Sequence, residues 1–194
     1  MSEDKLSKHL MSLTAGIDVC LENNLTRSAL TLIYSAIDTA GWLDAKEQFA
    51  NRRTFVCWTE KYLLPAKPLA CNAIDLYAAR CGLLHTSTPD SKLSIDGKAR
   101  RLSYAWGTVR VQDLQRLIEL TDKGQIYAAV HIDGLYEALR LGLVAFIDDL
   151  GNDPTRRERV MAKASKFFSE LSVEPVAELI TAIDNSPSGQ NQKY

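Results

Sequence analysis

Two residues near the middle of the chain have the types and spacing to do chemistry. Arg80 and His85 close the apolar run LYAARCGLLH. A guanidinium presents a planar fork of donors suited to phosphate or carboxylate oxygens. An imidazole titrates near neutral pH and can move a proton. On a helix leading to a core, Arg80 falls among Ala73, Leu76 and Leu83. A guanidinium placed there needs a carboxylate, a phosphate or a second subunit as partner. Asp38, beside the apolar Ile37 of an earlier helix, is the candidate carboxylate, either as that partner or as a residue supporting the site from behind; the plainer alternative is an acid that faces water. Five helical steps separate Arg80 from His85, about 140° of rotation. The two therefore converge only if the helix loosens after Gly82 or if another chain completes the site. A second candidate is the basic stripe Arg156, Arg159, Lys163 and Lys166, which falls within about 80° of one helix surface. Such a stripe could follow a nucleic-acid backbone, or it could be the solvated face of an amphipathic helix.

Other chemistries have less to build on. The four cysteines, Cys20, Cys57, Cys71 and Cys81, form no CxxC pair and sit in apolar surroundings. They read as buried, reduced thiols, Cys81 as a packing residue, and no metal site or cofactor is expected. His131 ends an apolar stretch and reads as structural, and His9 falls on the polar side of its helix. The chain has 194 residues, 46% of them hydrophobic and 24% charged, with 23 basic against 24 acidic side chains. That composition excludes a largely disordered chain, a collagen and a coiled-coil rod. A net charge of −1 is unlike that of a dedicated duplex binder. The first residues are acidic and lack the apolar core of a signal peptide, and no run of about 18 apolar residues occurs. A cytoplasmic protein with no membrane partner is expected.

The elements that must position these residues are mainly helical. Leu6, Leu10, Leu13, Ile17 and Cys20 recur at helical spacing until Asn23 and Asn24. Thr26 can cap a second helix with Leu30, Ile33, Tyr34 and Ile37 as its buried stripe, closed by Gly41. A third helix is expected over 45–64, with Phe49, Phe55, Trp58 and Tyr62 as its large apolar residues, broken at Pro65 and Pro68. Pro68 can start the fourth, which carries Arg80 and His85. The polar segment 87–98 is a loop and the best candidate for a subdivision of the domain. Short strands are expected around Leu102–Trp106 and over 126–132, separated by a helix at 111–120. Asp133 caps a long helix to Leu150, Asp153-Pro154 opens another ending near Leu171, and a last helix spans 174–183. The fold class is thus mainly α: a single helical domain over 1–184 with a small two-stranded β element in its C-terminal half. Residues 185–194 read as a polar tail.

An Arg and a His at the end of one helix, with four to six residues between them, form the signature of the HEPN superfamily. LYAARCGLLH, following the helix SALTLIYSAIDTAGWL, resembles that family over roughly Leu25 to His85. Nuclease members often carry Asn, Asp or His after the Arg, where this chain has Cys81. The resemblance implies a HEPN-like helical bundle, a homodimer, and a metal-independent endoribonuclease or RNA-binding protein in a toxin–antitoxin or antiviral-defence setting. An antitoxin or regulatory protein is then an expected partner. RNA carries its own nucleophile, the 2′-hydroxyl. His85 would serve as general acid or base and Arg80 would steady the phosphorane, leaving a 2′,3′-cyclic phosphate and a 5′-hydroxyl. The alternative is a HEPN-like interaction or dimerisation module without catalysis. A nuclease should hold Arg80 and His85 at one exposed cleft flanked by basic side chains. A module should bury Arg80 in an ion pair and turn His85 away.

Overall fold

The computed structural model describes residues 2–167, 178 and 180–182. It is mainly helical, with one small sheet in the C-terminal half. Helix α1 (Ser2–Glu22) turns through Asn24, whose φ of 58° is left-handed, into α2 (Thr26–Asp44). The stripe of α2 is buried from Ala29 to Leu43 and meets α1 on one side. Its first residue is Thr26 itself, and no side chain caps it. Nor does Gly41 end it. A Cβ there would lie 2.6 Å from the Thr54 carbonyl oxygen, so glycine at this point lets α2 press against the start of the next helix.

That next helix, α3 (Arg52–Trp58), begins seven residues later than the sequence suggests. Asn51 and Thr54 form a reciprocal capping box that fixes the start. Residues 45–50 form a bend instead, and Phe49 is 73% exposed rather than buried. Pro65 does not break the helix. The chain widens into a π-helical turn over Thr59–Leu63, with Leu64 N donating to Thr59 O, and runs on through α4 (Leu64–Ala66). A proline lacks the N–H of a regular turn, and a wider turn before it relieves the loss. Helix α5 (Ala73–Thr86) starts at the Asn72–Asp75 capping box, not at Pro68.

The loop expected over 87–98 holds a single turn, α6 (Lys92–Ile95), capped by Ser91. Strands β1 (Arg101–Ala105) and β2 (Tyr127–His131) pair in parallel, Arg101 opposite Tyr127 and Ala105 opposite His131. Parallel strands need a crossover, and α7 (Val111–Leu120) supplies it. Gln115 Oε1 on α7 accepts from the Ala129 amide at 3.0 Å and so occupies one of the ladder donors of β2. Helix α8 (Ile132–Gly151) is capped by His131, whose Nδ1 accepts from the Asp133 amide at 3.2 Å, so His131 takes the role expected of Asp133. Asp153 caps α9 (Pro154–Ala164). The last residues of the helix expected to end near Leu171, most of the helix expected over 174–183 and the tail from 185 lie outside the described residues; 178 and 180–182 are helical.

One cluster of buried apolar side chains runs from Leu6 to Ala164 and draws on both sides of the 87–98 loop. Tyr34 on α2 and Tyr104 on β1 hydrogen-bond to each other within it, and burial raises both phenols above their ordinary range. Among the described residues, no helix is long and apolar enough to cross a membrane.

Candidate functional site

Arg80 and His85 sit in the last two turns of α5, and α5 stays regular through both. No loosening after Gly82 occurs. The long Arg80 side chain covers the five-residue offset by itself, and its Nη1 donates to His85 Nε2 at 3.3 Å. Gly82 has another task. A Cβ there would lie 2.5 Å from Thr88 O and 2.8 Å from Asp90 O, because the chain folds back over the helix end. Ser87, with φ 54°, makes the left-handed stop that starts this return. Thr86 and Thr88 then join through their hydroxyls at 2.8 Å. His85 is exposed on the shoulder so formed.

Asp38 is the partner that Arg80 requires. Arg80 Nε donates to Asp38 Oδ2 at 2.6 Å, with the two side chains 21% and 17% exposed. Burial raises the Asp38 carboxyl above its ordinary 3.8, and the Arg80 guanidinium pulls against that rise. Burial alone would lower the Arg80 pKa, but the Asp38 carboxylate outweighs it and holds the guanidinium charged. One guanidinium thus faces two groups, a carboxylate behind it and an imidazole beside it. Because a guanidinium only donates, His85 Nε2 is the acceptor in this contact. Cys81 lies next to Tyr77 and Arg80, and burial together with the Cys81 thiol raises the Tyr77 phenol. Tyr77 packs edge-on against Phe55 with ring centroids 5.5 Å apart, which ties the site to the core.

The basic stripe of α9 is placed differently from both readings of the sequence. Arg156 is 11% exposed; its Nε donates to Asp44 at 2.5 Å, its Nη1 to Asp149 at 2.7 Å and its Nη2 to the Tyr62 hydroxyl. Arg159 Nη2 donates to Asp44 O at 3.0 Å. Lys163 is buried, and its Nζ donates to the carbonyls of Trp42, Ala45 (2.7 Å) and Glu47 (2.8 Å). Lys166 is exposed. The physical reason is the end of α2: its last carbonyls and Asp44 gather negative charge that attracts cations. Three of the four cations are already engaged there, and the stripe plays no part in the function proposed below.

Sequence reasoning missed a second ion pair near the site. Asp75 is buried and accepts from the Arg100 amide at 2.7 Å and from Arg100 Nη2 at 2.7 Å, so that the chain leading into β1 is fastened to the start of α5. The spacing of Asn72 and Asp75 was the available signal. Two smaller corrections concern single residues. Cys57 is exposed, and only Cys71 of the four free thiols is buried. His9 stacks on Phe167 with ring centroids 4.3 Å apart, so it is not simply solvated.

No protein-family model, no curated protein and no solved structure matches this chain.

Proposed function

We propose that this protein is a metal-independent endoribonuclease or RNA-binding protein of the HEPN type, with Arg80 and His85 at its site. The observation that carries this reading is the 3.3 Å approach of Arg80 Nη1 to the exposed His85 Nε2 at one helix end. In the free protein the lone pair of Nε2 is held by Arg80. A phosphate that draws the guanidinium toward its oxygens releases that lone pair. His85 then accepts the proton of a 2′-hydroxyl as it attacks the adjacent phosphorus, and Arg80 balances the added negative charge. The bond to the 5′-oxygen breaks, the leaving oxygen takes a proton from solvent water as His85 gives its own back to solvent, and a cyclic phosphate remains. Asp38 is a positioning residue that keeps the guanidinium at the helix end. A homodimer, a toxin–antitoxin or defence setting and a regulatory partner belong to the same proposal and rest on the resemblance of residues 25–85.

A second reading has its own support. Arg80 is held in a largely buried ion pair with Asp38, as an interaction module without catalysis requires. RNA cleavage in EDTA separates the two, comparing the wild type with Arg80→Ala and His85→Ala after each has been checked for folding. Cleavage by the wild type alone, leaving cyclic phosphate ends, supports the nuclease. Absence of cleavage and of RNA binding across several RNAs refutes it and favours the module.

A further inference from the structure

Strand β1 keeps one edge open. The Arg101 amide donates to the Ile126 carbonyl at 2.8 Å, and in the parallel register that bond sends the amides and carbonyls of 101, 103 and 105 toward β2. Those of Leu102 and Tyr104 point the other way, and among the described residues neither amide finds an acceptor. The outer edge of β2 is closed by contrast. The Tyr127 amide donates to Lys123 O at 2.9 Å, and the Ala129 amide donates to Gln115 Oε1 at 3.0 Å. A row of unpaired backbone donors and acceptors is a template for another strand.

The open edge is fixed in place and lies at a cavity. Arg100 is tied to Asp75 and Arg101 to Asp90 at the start of β1, and the Tyr104 hydroxyl is bonded to Tyr34 in the core. Leu102, Tyr104 and Trp106, alternate residues of this segment, line a cavity of about 320 Å³, with Leu30 of α2 and Leu83 of α5 among its apolar walls. Trp106 is 48% exposed. Arg27, in the first turn of α2, lines the same cavity, is exposed and has no ion-pair partner among the described residues. Phe167, the last residue of the continuous segment 2–167, packs on His9 and Trp42. Trp42 lies fifteen residues along α2 from Arg27, about 22 Å at 1.5 Å per residue. That segment therefore ends toward the far end of α2 from this cavity.

We infer that β1 accepts a third strand: an extended segment of a partner protein, about five residues long, with an apolar side chain over Leu30 and Leu83 and an acidic group at Arg27. Backbone pairing with Leu102 and Tyr104 supplies the attachment, and the alternate side chains that face the cavity supply the selection. Arg27 selects the acid, since a basic residue in the same place would meet the guanidinium as a like charge. An edge already held at both ends loses little freedom on pairing. This surface does not depend on the function proposed above. It carries none of Arg80, His85 and Asp38, and β1 lies outside residues 25–85, which carry the family resemblance.

The test is fluorescence polarisation of the full chain with a synthetic array of labelled pentapeptides that alternate Val, Leu or Phe with Thr and end in Glu, Lys or Gln. Circular dichroism confirms the fold of each protein variant. Pentapeptides ending in Glu are expected to bind about tenfold more tightly than those ending in Lys, and Arg27→Glu should reverse that preference. Methylating the peptide amides that face β1 should abolish binding. Amide hydrogen exchange at Leu102 and Tyr104 should slow when the unmethylated peptide is added. An array with no binder at about 1 mM overturns the proposal, as does binding that is indifferent to Arg27→Glu or to methylation. So do Leu102 and Tyr104 amides that are as protected in the protein alone as those of Arg101 and Ser103, because the chain's own remaining residues or a second copy then hold the edge.

Discussion

The Arg80–Asp38 pair makes a quantitative claim. Exposed ion pairs contribute about 0–1 kcal/mol, and breaking a buried one costs about 3–5 kcal/mol. With the two side chains 21% and 17% exposed and 2.6 Å apart, Arg80→Ala should cost about 2–3 kcal/mol at neutral pH, most of it the burden of a stranded carboxylate. Asp38→Ala strands the guanidinium and should cost a similar amount. The double variant should cost less than the sum of the two, with a coupling of about 1–2 kcal/mol. The pH dependence has a definite sign. Burial raises the Asp38 carboxyl above 3.8, so folding favours its protonated form. The stability that this group contributes is fully present below its unfolded pKa and is lost as pH rises through its folded pKa. Removing Arg80 raises that folded pKa further. The cost of Arg80→Ala should therefore be largest at neutral pH and shrink on acidification, as Asp38 takes up a proton and no longer needs a cation. Urea unfolding of the four proteins across pH reads both quantities. Single-variant costs that add within about 0.5 kcal/mol, or a cost of Arg80→Ala that does not change with pH, would refute this account of the pair.

Three further outcomes follow from other parts of the structure. Gly82→Ala places a methyl group against the Thr88 and Asp90 carbonyls and should destabilise the protein by about 1–3 kcal/mol, read by thermal unfolding, while moving the helix end that carries His85. A disulfide reagent should label Cys57 first and Cys71 only on unfolding, since burial and the nearby Asp75 carboxylate push the Cys71 thiol up to about 12; peptide mapping of the labelled protein decides it. Burial against Phe167 lowers His9 below 6.5, so the stability due to its neutral form is present above the unfolded pKa and is lost as pH falls through the folded one. His9→Phe should flatten that part of the stability–pH curve, and an unchanged curve would show that His9 does not contribute to it.

Much of the fold was legible because its signals are local. Val111–Leu120 follows from helical spacing and a polar stop, and Asp153-Pro154 from capping chemistry. The misplaced boundaries have a common cause. The start of α3, the continuation of α2 past Gly41 and the passage of the chain through Pro65 were each decided by contacts with another element. Thr54 packs on Gly41, and Lys163, more than a hundred residues away, holds the carbonyls of 42, 45 and 47. Spacing along one segment carries no trace of such contacts. The basic stripe shows the same limit: its periodicity was read correctly, but whether a cation faces water or a helix end depends on what packs against it.

The site divides along the same line. That Arg80 needs a partner follows from its apolar surroundings, and Asp38 could be named as a candidate from its place beside an apolar stripe, but the spacing alone left it equally free to face water. The approach to His85 could not be seen from helical rotation, which measures where Cβ atoms point and ignores the reach of a long side chain. Reach is also what makes the arrangement informative. A lysine at position 80 could keep the charge opposite Asp38, but it has no second arm for His85. Arg80→Lys should therefore retain most of the stability that Arg80→Ala loses. If it also retains RNA cleavage, the two-armed bridge is structural and His85 acts without it. If cleavage is lost while the fold stands, the fork itself belongs to the chemistry.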